Sequence, residues 1–339
     1  MPTRICVWTM VCLSAAVTLQ GAWKTRADAP PRKVVIASAQ LRFGGTPEER
    51  LEIFRRGFEE ASRTEIAGER GLDLVVFPEF ALQREAREAA DQAIGLDEPI
   101  VRQLREIVRQ HRAWTVAPIT LREADGERCS NAAVLFDRAG EVAGVFRKVH
   151  PMVDPDGRFE AGVTPGAAYP VFECDFGRVG ILICWDMSYP EAWTALAEGG
   201  AEIVALPSAS PQTLRPAAEA LRHCYYVVTS TPRDNAALFD PIGRTVAQVT
   251  ESGMLVHEVD LSYAVVHWSE TLRNGQALTE RYGDRVDGSY SSREDTGIFW
   301  SNDPAITIGE MMRELELREM PVTIETVKRA RNRAVGAAR

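Results

Sequence analysis

The segment Gly180–Glu191, GILICWDMSYPE, brings together an apolar strand, a cysteine and a helix start. Its first residues, which include two isoleucines, are typical of a buried strand. Pro190 suits the first position of a helix that runs to the stop signal Gly199-Gly200. We therefore predict that Cys184 lies at the end of a sheet, next to a tight turn, where a substrate can reach its thiol. The arrangement is analogous to the nucleophile elbow of α/β-hydrolases.

Two other segments place a potentially reactive side chain after an apolar run. Leu74–Phe80, LVVFPEF, contains Glu79, and Val145–Pro151, VFRKVHP, contains Lys148. Taken alone, each of the three patterns is more often structural. A cysteine that ends an apolar strand is usually a small buried hydrophobe, and Pro-Glu or Arg-Lys is usually a solvated turn or edge. The functional interpretation depends on all three occurring in this order.

Strands and helices alternate through most of the chain. Thr46-Pro47-Glu48-Glu49 has the composition of a capped helix start, and the turns at residues 137–140 and 240–243 predict hairpins. This mixture predicts an α/β fold of layered sheets covered by helices. The predicted strands are 33–39, 73–77, 113–119, 132–136, 142–147, 179–184, 201–206, 226–230, 236–239, 244–250 and 253–259, and further predicted helices open at 97–99 and span 190–199 and 215–224.

The pattern changes beyond Asp260. Residues 270–305 are rich in Arg, Gly, Asp and Ser and lack periodicity, whereas 306–317 and 322–334 are predicted to be helical. No strand is predicted after Val259. We expect residues 263–339 to form a C-terminal extension packed on the main domain or at a dimer interface, without a second core.

The N-terminus predicts export. Arg4 precedes the apolar run Ile5–Leu19, which as a helix would be about 22 Å long, shorter than a bilayer core of roughly 30 Å. Ala27-Asp28-Ala29 is a small-x-small cleavage pattern, although Pro30-Pro31 leaves the position of the cut open. We predict a signal peptide over residues 1–29 and a periplasmic or secreted protein without stable membrane insertion after cleavage. An uncleaved N-terminal anchor is the alternative.

Composition excludes several classes of protein. The chain has 339 residues, of which 45% are hydrophobic and 26% charged, as in ordinary soluble domains and unlike disordered or polytopic membrane proteins. A net charge of -9 and the lack of a basic patch argue against nucleic-acid binding. No Gly-x-Ser-x-Gly elbow, Walker A loop or G-x-G-x-x-G fingerprint occurs in the sequence, which disfavours a serine hydrolase and a nucleotide enzyme.

Cysteine and histidine usage predicts neither a metal site nor a disulfide framework. The sequence has no CxxC pair and no paired Cys/His spacing. Four cysteines follow the predicted signal peptide, too few to staple a chain of this length. One disulfide among Cys129, Cys174 and Cys224 is compatible with the sequence, for example Cys129–Cys174. Which two cysteines would pair cannot be deduced.

Together, the three reactive segments resemble the motifs of the nitrilase, or carbon–nitrogen hydrolase, superfamily. That family has a Pro-Glu after a hydrophobic strand, an Arg-Lys-x-His segment and a Cys-(Trp/Tyr)-Asp-x-x-x-Pro-Glu segment, which correspond here to Glu79, Lys148 and Cys184. The hairpin that begins at Asn131 and the turn at 240–243 also match. The resemblance covers about residues 33–262, so the hydrolase domain is placed at 30–262. It implies a four-layer αββα sandwich.

The chemistry of the three side chains is consistent with this resemblance. The thiol of Cys184 would attack a carbonyl carbon with Glu79 as general base, and a thioester would form and then be hydrolysed. The ammonium of Lys148 and the backbone N–H of Trp185 would stabilise the oxyanion. No cofactor is required. The family often has a second glutamate near the cysteine, for which Glu160 is the best candidate, although it could be an exposed loop acid.

The resemblance implies an exported amidohydrolase for a small-molecule amide or N-carbamoyl substrate. Trp185-Asp186 is closer to amidases and carbamoyl hydrolases than to true nitrilases, which usually have Trp-Glu there. A true nitrilase is one alternative, and a catalytically inactive nitrilase-like binding protein is another. Trp185 and Tyr189 either line the pocket or pack on the sheet. A homodimer or higher oligomer is expected to form through helices 190–199 and 215–224.

Overall fold

The computed structural model describes residues 26–337, in which two six-stranded sheets form the centre of the molecule. In spatial order, the first sheet contains β12 (Gly253–Asp260), β1 (Lys33–Gln40), β2 (Leu74–Val76), β3 (Trp114–Arg122), β4 (Cys129–Phe136) and β5 (Val142–Arg147). The second contains β11 (Thr245–Val249), β10 (Ala236–Phe239), β9 (Tyr226–Ser230), β8 (Ile203–Pro207), β7 (Gly177–Ile181) and β6 (Val171–Cys174).

Helices cover the outer faces of both sheets, which gives the predicted αββα sandwich. The first sheet is covered by α1 (Pro47–Ser62) and α4 (Pro99–His111), with the short helices α2 (Glu65–Arg70) and α3 (Ala89–Gln92) nearby. The second is covered by α5 (Pro190–Glu198) and α6 (Leu214–His223). The predicted capping box of Thr46 and Glu49 is present at the start of α1.

Strand β1 shows why the sheets pack in layers. Its residues are buried on both faces, and successive side chains point to opposite sides of a strand. Val34 and Ile36 join the core between the two sheets, whereas Val35 and Ala37 pack with α1 and α4. A continuous apolar run is therefore what this position in the fold requires.

The C-terminal extension contains strands that the sequence analysis missed. It forms a third, antiparallel sheet in the order β13 (Tyr263–His267), β15 (Thr296–Ser301) and β14 (Val286–Ser291), with helices α7 (Gln276–Tyr282), α8 (Ile308–Glu314) and α9 (Met320–Ala337). The prediction that no strand follows Val259 is therefore wrong. Strand β14, VDGSYS, is polar and has a glycine, so neither alternation nor apolar content marks it.

The third sheet packs on the main domain with one face and has a small core on the other. Val265 and Ile298 belong to the core between the main layers, whereas Ala264 and Phe299 form a separate cluster with α8. The expectation of an extension without its own core is thus corrected by this second cluster.

The predicted signal peptide lies mostly outside the described residues. Of its 29 positions, only Arg26–Ala29 are described, and Arg26 and Ala27 are buried against the body of the protein. None of the helices within residues 26–337 is long and apolar enough to cross a membrane.

Candidate active site

Three strand ends bring Glu79, Lys148 and Cys184 together. Glu79 follows β2 and Lys148 follows β5, both in the first sheet, whereas Cys184 follows β7 in the second sheet. The backbone N–H of Lys148 donates to the carbonyl of Asn131 at 2.9 Å, which continues the β4–β5 pairing by one residue. The site therefore lies where the two sheets meet.

The ammonium of Lys148 is buried between two carboxylates. Its Nζ donates to Glu79 Oε1 at 2.9 Å and to Glu160 Oε1 at 2.7 Å. The side chains of Lys148 and Glu79 are each only 1% exposed. Burial alone would lower the pKa of Lys148, but the negative charges of Glu79 and Glu160 outweigh it and hold this pKa above its ordinary value. Lys148 therefore stays a cation at neutral pH.

Two further groups hold Glu79 in place. Asn131 donates through Nδ2 to Glu79 Oε1 at 2.8 Å and to Glu160 Oε1 at 3.1 Å. The backbone N–H of Ala209, just after β8, donates to Glu79 Oε2 at 2.9 Å. The two carboxylates are thus fixed on either side of Lys148 by one amide group.

Asn131 and Ala209 were not singled out as site residues from the sequence. The sequence pattern marks Asn131 only as the start of a hairpin, yet this residue is 2% exposed inside the apolar strand CSNAAVLF. A buried amide must have hydrogen-bond partners, so its position in an otherwise apolar strand was a usable signal. Nothing in the sequence around Ala209 marks its N–H.

Cys184 opens a 3-10 turn and does not continue the strand. The strand predicted over 179–184 ends at Ile181, and residues Cys184–Ser188 form the turn. The φ of Cys184 is 46°, in the left-handed region that non-glycine residues rarely adopt. The backbone therefore leaves the extended strand geometry at the cysteine.

Asp186 fastens this turn to the segment that carries Lys148. Its Oδ2 accepts the N–H of Ile183 at 3.2 Å, and its Oδ1 accepts the N–H of His150 at 2.7 Å. The Asp186 side chain is fully buried. One carboxylate therefore couples the position of the cysteine to the position of the lysine.

Electrostatics keep the thiol of Cys184 protonated at neutral pH. Burial raises its pKa to about 11, and the negative charge of Glu79 contributes to the rise, whereas Lys148 and a hydrogen bond with Ser208 oppose it. The side chain of Glu79 is also within hydrogen-bonding range of the thiol. A base is therefore needed before this sulfur can act as a nucleophile.

The accessory residues have different surroundings. Glu160 reaches Lys148, as described above, from a short 3-10 turn at Glu160–Gly162. The Trp185 side chain is exposed, at 42%, immediately after the cysteine. The Tyr189 ring stacks on His150, with centroids 3.5 Å apart. Glu160 is thus part of the charged cluster, whereas Tyr189 packs on the segment after Lys148.

The thiols and carboxylates of the described residues form no metal cluster. Across residues 26–337, no group of three or more His, Cys, Asp or Glu side chains is placed to hold a metal ion. Cys129, Cys174, Cys184 and Cys224 are all free thiols. The disulfide that the sequence left open between Cys129 and Cys174 is not formed.

Comparisons with known proteins identify similar sequences and folds. The profile of the carbon-nitrogen hydrolase family matches residues 15–266. A citrullinase of Francisella tularensis subsp. tularensis is 29% identical over 185 residues, which cover 52% of this chain and 61% of that protein. A deaminated glutathione amidase of Yersinia enterocolitica is 32% identical over 153 residues, which cover 41% of this chain and 52% of that protein. The chain thus spans between half and two thirds of these relatives.

A solved structure is similar in fold. Saccharomyces cerevisiae Nit3, described as a member of branch 10 of the nitrilase superfamily, superimposes with a TM-score of 0.59 and 21% identity. The superposition covers 68% of this chain and 90% of Nit3. This likeness agrees with the four-layer sandwich described above.

Proposed function

This chain belongs to the carbon-nitrogen hydrolase family, and we propose that it is an exported amidohydrolase with Cys184 as its nucleophile. Its substrate is a small molecule with a linear, non-peptide amide or N-carbamoyl bond. The observation that carries the proposal is the buried cluster in which the ammonium of Lys148 lies 2.9 Å from Glu79, next to the thiol. Hydrolysis through a thioester needs these three groups.

The first step forms the thioester. Because the pKa of Cys184 is raised to about 11, Glu79 takes the thiol proton as sulfur attacks the carbonyl carbon. The carbonyl oxygen becomes an oxyanion, which the Lys148 ammonium and the backbone N–H of Trp185 stabilise. Glu79 then donates its proton to the departing nitrogen, the C–N bond breaks, and ammonia or an amine leaves.

The second step releases the acid. Glu79 removes a proton from water, whose oxygen attacks the thioester carbon, and the C–S bond breaks as the proton returns to sulfur. The contacts from Asn131 and Ala209 keep the Glu79 carboxylate in one orientation during both steps. Glu160 supplies a second negative charge beside Lys148, so the lysine remains a cation while Glu79 is protonated.

The relatives support the proposed substrate class by name. A citrullinase acts on a compound with a ureido group, and a deaminated glutathione amidase acts on an amide. Both bonds join a carbonyl carbon to nitrogen, and both are open to the attack described above.

Ammonia release by the purified enzyme tests the proposal. The panel contains ω-amides, aliphatic amides, N-carbamoyl amines, N-carbamoyl amino acids and simple nitriles. We expect release from an amide or carbamoyl compound by the wild type and by Cys174→Ala, a control that removes a thiol from strand β6. Cys184→Ala is expected to be inactive. Release from nitriles alone would favour the true nitrilase, and activity retained in Cys184→Ala would refute the mechanism.

A binding protein without activity is the second candidate, and Cys184 labelling distinguishes it. If no panel compound reacts, mass spectrometry of products from N-substituted amides tests enzymes that release a larger amine. If neither assay detects a product, and Cys184 is alkylated no faster than Cys174, the inactive binding protein would be favoured.

We also propose a homodimer or larger oligomer that pairs through α5 and α6. The Leu214 side chain at the start of α6 is 87% exposed, and a pairing through these helices would cover it. Analytical ultracentrifugation is expected to show at least a dimer. A species no heavier than the 37.5 kDa of one chain would refute the pairing.

A further inference from the structure

The first described residue, Arg26, is built into the fold. Its buried guanidinium donates to the carbonyls of Ala201 at 2.8 Å and Cys224 at 2.6 Å, and to the hydroxyl of Tyr263 at 2.6 Å. Both carbonyls lie just beyond the C-terminal ends of α5 and α6, where a cation meets the negative ends of the helix dipoles. Arg26 therefore connects two helices of the main domain to the first strand of the extension.

The residues that follow hold the C-terminal extension. Ala27 is part of the extension's hydrophobic cluster, and its carbonyl accepts the N–H of Gly309 at 2.7 Å. Asp28 Oδ1 accepts a hydrogen bond from Arg313 at 2.6 Å. Ala29 closes the turn through its N–H, which donates to the carbonyl of Arg26 at 3.2 Å. We call Arg26–Ala29 the N-terminal clamp.

Gly309, near the start of α8, lies against the clamp. A Cβ at this position would be 2.4 Å from Asp28 Oδ1 and 2.9 Å from the carbonyl oxygen of Ala27. The second contact is with backbone, so rotation of a side chain cannot relieve it. Glycine within a helix is otherwise unfavourable relative to alanine. A glycine at position 309 is therefore expected if α8 packs against an N-terminal clamp that stays in the mature protein.

We propose that the N-terminal clamp is retained in the exported enzyme, so that any cut in the leader falls upstream of Arg26 and not after Ala29. A cut after Ala29 would remove every contact described in the last three paragraphs. The bond to Pro30 is also a poor peptidase substrate, because proline has no N–H and a fixed φ. Farther upstream, Ser14-Ala15-Ala16 lies within the apolar run Ile5–Leu19 and is a small-x-small pattern.

The N-terminus of the exported protein tests this directly. The full chain is expressed in a bacterial host, recovered from outside the cytoplasm in soluble and membrane fractions, and analysed by intact mass and N-terminal sequencing. We expect the chain to begin at or before Arg26, whether after Ala16, at another upstream residue or at Met1. A chain that begins at Ala27 or later would overturn the proposal. The inference rests on the proposed export, but this measurement does not depend on catalysis.

The thermal stability of Gly309→Ala in the same exported protein is a second test. With the clamp in place, the added methyl group collides with it, and we expect the Tm to fall by about 2 °C or more. Without the clamp, alanine would be neutral or stabilising in α8, so an unchanged or higher Tm would overturn the proposal. Gly68→Ala in α2 is the matched control, because a Cβ there meets no atom within 4 Å. If Gly309→Ala does not fold, Arg26→Ala against Arg42→Ala, an exposed arginine, makes the same comparison.

Discussion

The thiol of Cys184 is surrounded by groups with opposite effects on its ionisation. Burial and Glu79 raise its pKa, while Lys148 lowers it. Glu79 therefore has two consequences in the proposed mechanism. It suppresses the free thiolate in the resting enzyme, and it accepts the proton when substrate is present.

Glu79→Gln is expected to separate these two effects. Turnover falls by about 100-fold or more, because the general base is lost. Alkylation of Cys184 by iodoacetamide at pH 7 becomes faster than in the wild type, because a negative charge next to the thiol has been removed. Lys148 keeps Glu160 as its partner, so the fold is preserved. Peptide mass spectrometry over time gives the labelling rate, and slower labelling in the variant would contradict this account.

Asn131 is expected to act as a positioning residue. Asn131→Ala removes the amide that holds both Glu79 and Glu160, so we expect kcat/KM to fall at least about tenfold, equivalent to about 1.4 kcal/mol. Ser130→Ala is the matched control, because the neighbouring hydroxyl binds Glu123, outside the cluster. Partial recovery in Asn131→Gln, which keeps an amide, would separate positioning from packing. Equal kcat/KM in Asn131→Ala and Ser130→Ala would rule the role out.

The sequence singled out the three candidate side chains that the fold brings together, but not the groups that orient them. Glu79, Lys148 and Cys184 each follow a recognisable apolar strand, so local pattern was sufficient. Asn131 meets carboxylates 52 and 29 residues away, and Ala209 contributes only a backbone N–H. Such contacts depend on how the strands associate in space. A short stretch of sequence contains no information about that association.

At the scale of elements, the strand before the turn at Cys184–Ser188 ends earlier than predicted. The apolar run predicts a strand through Cys184. The strand ends at Ile181 instead, because the Asp186 carboxylate accepts the hydrogen bond of the Ile183 N–H. A side chain that competes with the sheet for a backbone donor explains the difference. Strand β14 was missed for the opposite reason: its sequence is polar, and it forms because β15 pairs with it along its whole length.

Asp186→Ala is expected to loosen this turn. It leaves the buried N–H groups of Ile183 and His150 without their acceptor, at a cost of about 2–4 kcal/mol in the free energy of unfolding. Activity should fall as well, because the cysteine and the lysine are no longer held together. Asp186→Asn keeps one acceptor oxygen and should lose less. Urea denaturation and kcat of the two variants provide the measurement, and equal stability of Asp186→Ala and wild type would contradict the prediction.

At the scale of the whole molecule, pH is expected to change the stability of the contact between the N-terminal clamp and the C-terminal extension. Burial raises the pKa of Glu319 to about 7, with Asp28 adding to the rise and Arg26 and Arg313 opposing it. Between the ordinary carboxyl pKa and about 7, the folded state binds this proton more tightly than the unfolded state, so its contribution to stability falls as pH rises. Glu319→Gln removes the titration.

We therefore expect Glu319→Gln to raise the Tm at pH 8 and to change it little at pH 5. Differential scanning calorimetry of both proteins at the two pH values tests this. Glu316→Gln is the control, because the Glu316 side chain is exposed on the same segment. A Tm difference between Glu319→Gln and wild type that is the same at pH 5 and pH 8 would contradict the assignment.

The position of the trio between the two sheets also determines when the chain becomes reactive. The base and the lysine come from the first sheet, and the sulfur comes from the second, so neither half of the sandwich holds a working site. Before the halves join, Cys184 is an ordinary thiol without its base or its cation. If the proposed export takes the chain across a membrane unfolded, amides in the compartment that makes it are spared, and hydrolysis begins only after the two sheets have joined at the destination.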